Sequence, residues 1–278
     1  MVLVFCWPSL VAAQSITARE VISRIQEQVG IPWSDRTVDT FKAGDPDAPV
    51  TGVAVTMMAT LDVLQRAAAE GHNLIITHEP TFYGHLDETA QLEADDDPIY
   101  LAKKRYIEEH GLIVWRFHDY WHQRVPDGVT EGMIRQLGWT EYPRVAGANV
   151  FTAPETTVRE LAKDIEKRFD IKTLRVVGDP DMRVTRLAFA AGFPGFAPQQ
   201  RLFRRDDVEV LVMGEAHEWE TILYGADAVA AGMRKALIVM GHIPSEQAGM
   251  ENCAEWMQGF VTEVPVAFVP AKEPFWRP

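Results

Sequence analysis

The chain has 278 residues, of which 47% are hydrophobic and 24% charged, a balance that argues against disorder and predicts a globular protein of one large or two modest domains. Its formal net charge of -13 argues against nucleic acid and anionic membrane as partners, because both are polyanions. Two cysteines, Cys6 and Cys253, are too few for a disulfide framework or a thiolate zinc cluster, so any metal site must use imidazole and carboxylate ligands.

The chain begins with an apolar run, residues 1–14, that ends in Val11-Ala12-Ala13. Small residues at this place are typical of signal-peptidase cleavage, so the sequence predicts export, for example to a periplasm. No Lys or Arg precedes the run, and it is too short to cross a bilayer. The alternative is therefore a truncated or wrongly assigned start of a cytoplasmic protein. No later segment has the roughly 18 apolar residues that a membrane helix needs.

Helices and strands alternate through the first half of the chain. Residues 19–29 have helical apolar spacing, and Gly30 and Pro32 end that helix. A strand near residues 50–57, a helix over 61–70 and a buried strand over 73–77 then form a βαβ unit. The same patterns predict a helix over residues 99–110, a strand over 112–117, and helices over 130–137 and 156–169.

The second half repeats this alternation, with strands over 174–177, 184–190, 208–213 and 236–240 and a helix over 219–233. The stretches VTGVAVTM to NLIITHEP and VEVLVMGE to ALIVMGHIP share the order strand, helix, strand, histidine and proline. We therefore expect an α/β fold of two related lobes, residues 15–145 and 146–278, arranged as a pseudo-two-fold duplication. The C-terminal segment is expected to return to the cleft between the lobes, and the loop at residues 192–196 to line it.

The strongest local motif is Gly241-His242-Ile243-Pro244-Ser245-Glu246. Pro and Ser are typical of helix starts, so we expect His242 on a strand-to-helix loop and Glu246 in the first turn. An imidazole and a carboxylate so placed are usual ligands of zinc, iron or manganese, and the two oxygens of Glu246 can bridge two ions. The alternative is that Glu246 only complements the helix dipole.

Two further histidine groups also follow predicted strands, where α/β sheets place functional side chains. His78 and Glu79 are costly to bury unless a cation compensates them, although a solvated loop is the alternative. His118 and His122 follow the next strand, either as ligands, as groups that orient ligands, or as packing partners. His85 is a reserve ligand or a proton-transfer group. His72, His110 and His217 lack this placement, and we expect them on the surface.

Motifs of serine hydrolases, Walker ATPases, dinucleotide-binding enzymes and His-Glu-x-x-His metalloproteases do not occur. The segments NLIITHEPTFY, FHDYWHQRVPDGVTEGMIRQLGW, VMGEAHEWE and GHIPSEQ, in contrast, resemble those of the NIF-three-like family, the GTP cyclohydrolase I type-two homologues. The resemblance covers nearly all of the chain after Ala18, and GHIPSEQ is its most specific part. It implies two related α/β lobes, a dinuclear metal centre and a ring-shaped hexamer. It also places Glu215 at the rim of the cleft, where an exposed acidic turn is the alternative.

The chain departs from the family pattern at two places. Glu79 stands where the family usually has a second histidine, and His122 falls at the position of an aspartate. The total of three histidines and two carboxylates is unchanged, which predicts a rearranged centre. The sequence thus predicts one or two divalent transition-metal ions (Zn, Fe or Mn) held by the following residues: His78, Glu79, His122, His242 and Glu246.

The leading functional hypothesis is a metal-dependent hydrolase, in which the ions lower the pKa of a bound water toward neutrality. Glu79 holds or bridges the metal, and His85 or His118 transfers protons. The family name suggests opening of a nucleotide ring, and phosphoester and amide hydrolysis are related options; no separate purine or phosphate motif occurs. The alternative is a non-catalytic oligomeric scaffold that binds or handles metal.

Overall fold

In the computed structural model, which describes residues 15–278, the strands form two five-stranded sheets. The first sheet has the order β1-β4-β3-β2-β10, and only its edge strand β1 is antiparallel to its neighbour. Its strands are β1 (Phe41–Ala43), β2 (Val53–Thr56), β3 (Leu74–Thr77), β4 (Ile113–Arg116) and β10 (Val266–Phe268). Every residue of β2, β3 and β4 is buried, as expected for central parallel strands.

Six helices belong to the first half of the chain: α1 (Ala18–Val29), α2 (Leu61–Ala69), α3 (Ala90–Ala94), α4 (Pro98–Glu109), α5 (Asp119–Gln123) and α6 (Gly128–Leu137). The N-terminus of α1 is fixed by a capping box between Thr17 and Glu20, and its C-terminus by Gly30 at a φ of 75°. The side chains of Thr60 and Asp127 cap the N-termini of α2 and α6.

The second sheet has the order β5-β7-β8-β9-β6, with β7, β8 and β9 parallel and both edge strands antiparallel to their neighbours. Its strands are β5 (Val150–Thr157), β6 (Arg175–Val177), β7 (Arg183–Ala190), β8 (Val210–Met213) and β9 (Ala236–Val239). The helices of this half are α7 (Val158–Phe169), α8 (Phe196–Phe203), a π-helical turn (Glu218–Ile222), α9 (Leu223–Ala230) and α10 (His242–Gln258).

The helix α10 follows the second sheet but packs against the first. It contacts β2, β10 and, most extensively, α6. The two helix backbones meet at Gly132 of α6 and Gly249 of α10, where an added Cβ on Gly132 would lie 2.4 Å from the carbonyl oxygen of Ala248. The indole of Trp121 donates a hydrogen bond of 3.1 Å to the carbonyl of Gly249. This crossing brings the N-terminus of α10 to the carboxyl edge of the first sheet.

Most elements that the sequence predicts are present within two or three residues of their expected bounds. The helix expected over residues 219–233 is the exception, because it starts as a π-helical turn with Glu220 at non-helical angles and ends at Ala230. Sequence reasoning missed β1, α3, α5, β5, α8 and β10. The predicted export signal, residues 1–14, lies outside the described residues. Within residues 15–278 no helix is both long and apolar enough to cross a membrane.

Candidate metal centre

Two neighbouring parallel strands, β3 and β4, deliver histidines to one edge of the first sheet. His78 and Glu79 come directly after β3, and His118 follows β4 after one residue. Since β3 and β4 pair in register from Leu74 with Ile113 to Thr77 with Arg116, their carboxyl ends coincide. These side chains therefore meet at the place where α/β sheets usually carry their functional groups.

His78 is fully buried and its tautomer is set by the backbone. Its Nδ1 lies 3.0 Å from the carbonyl oxygen of Phe117, which only accepts hydrogen bonds, so Nδ1 carries the proton. Burial, together with the positive charge of His122 and His118, holds the pKa of His78 well below its usual value. His78 is thus neutral, and the lone pair of its Nε2 faces the cleft.

Two more imidazoles lie at the short helix α5: His118 directly before it and His122 within it. His122 Nδ1 donates to a carboxylate oxygen of Asp127 at 3.0 Å, and His118 Nδ1 to one of Asp119 at 2.9 Å. Burial opposes the charged form of His122, yet Asp127 raises its pKa above the ordinary value. His122 Nε2 lies 3.2 Å from His78 Nε2. When both rings are neutral, two nitrogen lone pairs face each other, an arrangement that a shared cation stabilises.

The second sheet contributes His242, which follows β9. The preceding Gly241 has a φ of 96°, a conformation that favours glycine, and α10 then begins at His242 itself. The expectation of His242 on a loop and Glu246 in the first turn was therefore wrong. The two residues lie one turn apart on the same helix face, with His242 Nε2 3.2 Å from Glu246 Oε2.

Three carboxylates surround His242. Its Nδ1 lies 3.2 Å from Glu215 Oε1, and its Nε2 lies 3.2 Å from Glu79 Oε1, in addition to the contact with Glu246. Burial lowers the pKa of His242, but the carboxylates outweigh it and raise the pKa to about 12. A charge of +1 or more is therefore favoured at this point, whether a proton or a metal ion supplies it.

Glu79 is oriented by a buried arginine that sequence reasoning did not identify. Arg116 is fully buried at the end of β4 and donates to Glu79 Oε2 at 3.2 Å and to the carbonyl of His78 at 3.0 Å. It also donates to the carbonyl of His85. The other oxygen of Glu79 faces His242, and the pKa of Glu79, although raised by burial, is lowered overall because His242 hydrogen-bonds to it. Glu79 is therefore ionised.

Glu246 supplies a test of whether these residues fit a metal ion. It is 3% exposed, and its Oε2 has no hydrogen-bond partner within residues 15–278. His242 Nε2 and His78 Nε2 lie 3.2 and 3.7 Å from this oxygen as ion-pair contacts. A buried carboxylate oxygen without a hydrogen bond is costly unless a cation balances it. Ligand atoms of His78, Glu79 and Glu246, and those of His78, His118 and His122, lie within 4.8 Å of one another. The donor set fits a divalent transition metal.

The cluster opens into a cleft of about 680 Å³ that is lined by residues from both halves of the chain. Gly192 lies against the cluster with a φ of 53°, and a Cβ at this position would be 2.3 Å from Glu246 Oε1. Phe193 and Pro194 of the same loop line the cleft, where the sequence had placed this loop. His85 is exposed at the rim, its ring centre 5.9 Å from that of His118.

The structure thus brings the five expected ligands together with His118 and Glu215, while His85 stays at the rim. His110 and His217 are exposed, as expected, but His72 is not. It is 7% exposed because the loop before β3 packs it beside Gly52. Sequence reasoning missed two groups that orient ligands. Arg116 orients Glu79, and Asp127, which also caps α6, orients His122.

The sequence of the chain is similar to those of known proteins. The family described as Duf34/NIF3 (NGG1p interacting factor 3) matches residues 17–274. A Clostridium acetobutylicum protein named GTP cyclohydrolase 1 type 2 homolog is 25% identical over 162 residues, which is 54% of this chain and 58% of that protein, less than two thirds of its length.

Solved structures show the same fold. A Staphylococcus aureus protein superposes with a TM-score of 0.71 at 15% identity, covering 94% of this chain and 99% of the other. A Bacillus cereus protein related to NIF3 superposes with a TM-score of 0.68 at 15% identity, covering 95% and 99%. At these identities the likeness concerns the fold alone.

Proposed function

Since the chain belongs to the DUF34/NIF3 family, we propose that it is a metal-dependent hydrolase whose cleft holds one or two divalent transition-metal ions. Zinc, iron and manganese suit a mixed set of imidazole and carboxylate ligands. The ligands that we propose are His78, Glu79, His122, His242 and Glu246, which come from both sheets.

One observation carries this proposal: the Nε2 atoms of His78, His122 and His242 lie 3.7, 3.9 and 3.2 Å from the carboxylate oxygens of Glu246. One of these oxygens, Oε2, has no hydrogen-bond partner among the described residues. His78, His122 and His242 each have Nδ1 against an oxygen acceptor, which orients Nε2 inward. Such outer hydrogen bonds are typical of metal-binding histidines, where they fix the ring and raise its basicity.

A divalent ion bound here supplies Lewis-acid chemistry that makes water a nucleophile at neutral pH. The protein supplies the rest. Arg116 fixes Glu79 so that one carboxylate oxygen faces the cluster. His118 lies at the cleft wall with Nε2 3.7 Å from Glu79 Oε1, close enough to exchange a proton with a group held there, and His85 at the rim passes it to solvent.

We further propose that the two halves are related by duplication and enclose the centre between them. In each sheet an antiparallel edge strand is followed by three parallel strands, β1-β4-β3-β2 and β6-β9-β8-β7. In each half, a helix capped by a Thr–Glu box, at Thr17 and Thr157, comes before these four strands in the chain. In this alignment β3 corresponds to β8, whereas the sequence repeat paired β3 with β9. Glu79, which follows β3, then corresponds to Glu215, which follows β8.

The first experiment is elemental analysis of the purified protein together with its mass in solution. We expect one or two divalent transition-metal ions per chain, and a hexamer if the assembly implied by the family resemblance forms. The variant His242→Ala should lose metal, whereas the matched His110→Ala, on an exposed histidine, should keep it. Full metal content in His242→Ala would contradict the site.

The second experiment measures metal-stimulated hydrolysis of nucleotides, phosphoesters and amides. The proposal predicts turnover with at least one class, lost in His242→Ala and retained in His110→Ala. If a protein with confirmed metal occupancy hydrolyses none of them, the hydrolase is rejected and a metal-binding scaffold is favoured.

A further inference from the structure

A second cavity, of about 470 Å³, lies beside the metal cleft. Four residues line both spaces: Met58, Glu79, Pro80 and Tyr83. The two spaces are therefore adjoining parts of one depression. The second one differs in its other wall, which carries Thr81 and Lys103.

Lys103, on α4, is a buried cation without a carboxylate partner. It is 5% exposed, and its ammonium donates to the carbonyl of Thr81. The rings of Tyr83 and Phe82 lie 5.3 and 5.8 Å from it. Within residues 15–278 it forms no ion pair and no second hydrogen bond, which leaves donor capacity unused. Burial lowers the pKa of Lys103 to about 8, so it is charged at neutral pH.

Thr81 adds a second unused polar group at the same wall. Its side chain is fully buried, and its hydroxyl Oγ1 has no hydrogen-bond partner among the described residues. Buried hydroxyls and ammonium groups are normally satisfied, so two such groups side by side indicate a missing acceptor. An oxyanion offers several acceptor oxygens and the opposite charge.

The acidic groups nearby are paired with other cations, which reduces their repulsion of such an anion. Glu79, which lines both cavities, lies 3.2 Å from Arg116 and 3.2 Å from His242. Asp87 lies 3.5 Å from Lys42 and 3.9 Å from Arg116. Lys103 is therefore the cation at this wall that is left to balance a ligand.

We propose that this cavity binds the anionic group, phosphate or carboxylate, of a small-molecule substrate, with Lys103 as its counter-ion and Thr81 as a hydrogen-bond donor. The proposal rests on the proposed hydrolase, since it supplies the substrate class: an anionic molecule whose scissile bond lies next to the charged group. The shared residues place that bond against Glu79 and the metal centre.

The test uses the full-length protein freed of metal, so that anions cannot bind to a metal ion. Inorganic phosphate and acetate are titrated by calorimetry into the wild type, Lys103→Met and Lys104→Met. Lys104 is the matched control, a partly exposed lysine paired with Glu93 at 3.0 Å. We expect binding of at least one anion, weakened about tenfold or more in Lys103→Met and unchanged in Lys104→Met. The anion that binds more tightly identifies the group.

A second measurement needs no variant. Reductive methylation with formaldehyde and dimethylamine-borane labels lysines without releasing a carboxylate, and bound phosphate or acetate should slow labelling at Lys103 but not at Lys104, as read by mass spectrometry. Absence of anion binding, equal affinity in Lys103→Met, or equal labelling with and without anion would overturn the proposal. His242→Ala should still bind the anion, so loss of the metal site and failure of the anion site are distinguishable.

Discussion

Arg116 shows how one residue outside the ligand set controls the cluster. Its guanidinium fork reaches both Glu79 and the backbone of His78, so it sets the position of two proposed ligands at once. A lysine keeps the charge but not the fork. We expect Arg116→Lys to weaken metal binding about tenfold to a hundredfold, the range seen when groups that orient ligands are lost.

The measurement for Arg116 is a calorimetric titration with Zn²⁺. Arg135→Lys is the control, because Arg135 is exposed and pairs with Glu255 on the surface. If Arg116→Lys binds Zn²⁺ as tightly as the control, Glu79 does not need the arginine to be placed, and the explanation given for its orientation is wrong.

A second prediction for a single residue is that buried Lys103 makes the free energy of unfolding depend on pH. Burial lowers its pKa from 10.5 to about 8 in the folded protein. Below the folded-state pKa, Lys103 is protonated in both the folded and the unfolded protein, and the folded protein bears the full cost of burying its charge. Between the two values the unfolded chain binds a proton that the folded one lacks, so this group makes the free energy of unfolding rise with pH. The wild type should gain up to about 3 kcal/mol over Lys103→Met across this window.

Urea unfolding of the metal-free protein at several pH values from 8 to 10.5 measures this difference. Lys104→Met again serves as the control, because the pKa of Lys104 is raised, first of all by Glu93, and yields no such gain. A constant difference between the wild type and Lys103→Met across the window would show that Lys103 is not desolvated.

At the scale of elements, the crossing of α6 and α10 positions the two proposed ligands on α10, His242 and Glu246. A Cβ on Gly132 would meet the backbone of Ala248 and Gly249 at 2.4 and 2.7 Å, and backbone cannot move aside as a flexible side chain can. Gly132→Ala should therefore push α10 outward, destabilise the protein by about 1 to 3 kcal/mol and weaken Zn²⁺ binding.

Thermal unfolding and zinc titration test this helix crossing together. Gly84→Ala is the matched change, since a Cβ at that position meets no atom within 4 Å. A destabilised Gly132→Ala that binds Zn²⁺ with wild-type affinity would mean that the N-terminus of α10 is held by contacts other than this crossing.

The elements also show what the sequence could reveal. Apolar strands and the glycines that end helices are local patterns, so the sequence could predict that His78 and His242 each follow a strand. Arg116 lay inside a predicted strand, and nothing beside it in the chain indicates that its guanidinium is buried. The strand β10 was missed because its partner, β2, lies some two hundred residues earlier and only tertiary pairing makes it a strand. His72 was misplaced because its burial depends on Gly52, in a different segment.

At the scale of the whole molecule, the proposed ligands come from both sheets. His78 and Glu79 follow β3 of the first sheet, whereas His242 and Glu246 belong to the helix that follows the second. A metal ion bound by both groups stabilises only states in which the two sheets are in place together. Metal binding should therefore be linked to unfolding of the entire chain and not of one half.

Chelation tests this linkage. Removing the metal should lower the melting temperature of the single transition, by the equivalent of about 4 kcal/mol where free metal exceeds its Kd a thousandfold. Scanning calorimetry with and without EDTA measures it, and Glu246→Gln, which keeps the size of the side chain, should melt alike in both conditions. Two separate transitions, of which the chelator shifts one, would place the metal within one half. The contacts across the cleft, such as His242 with Glu79 at 3.2 Å, would then not reflect a shared ion.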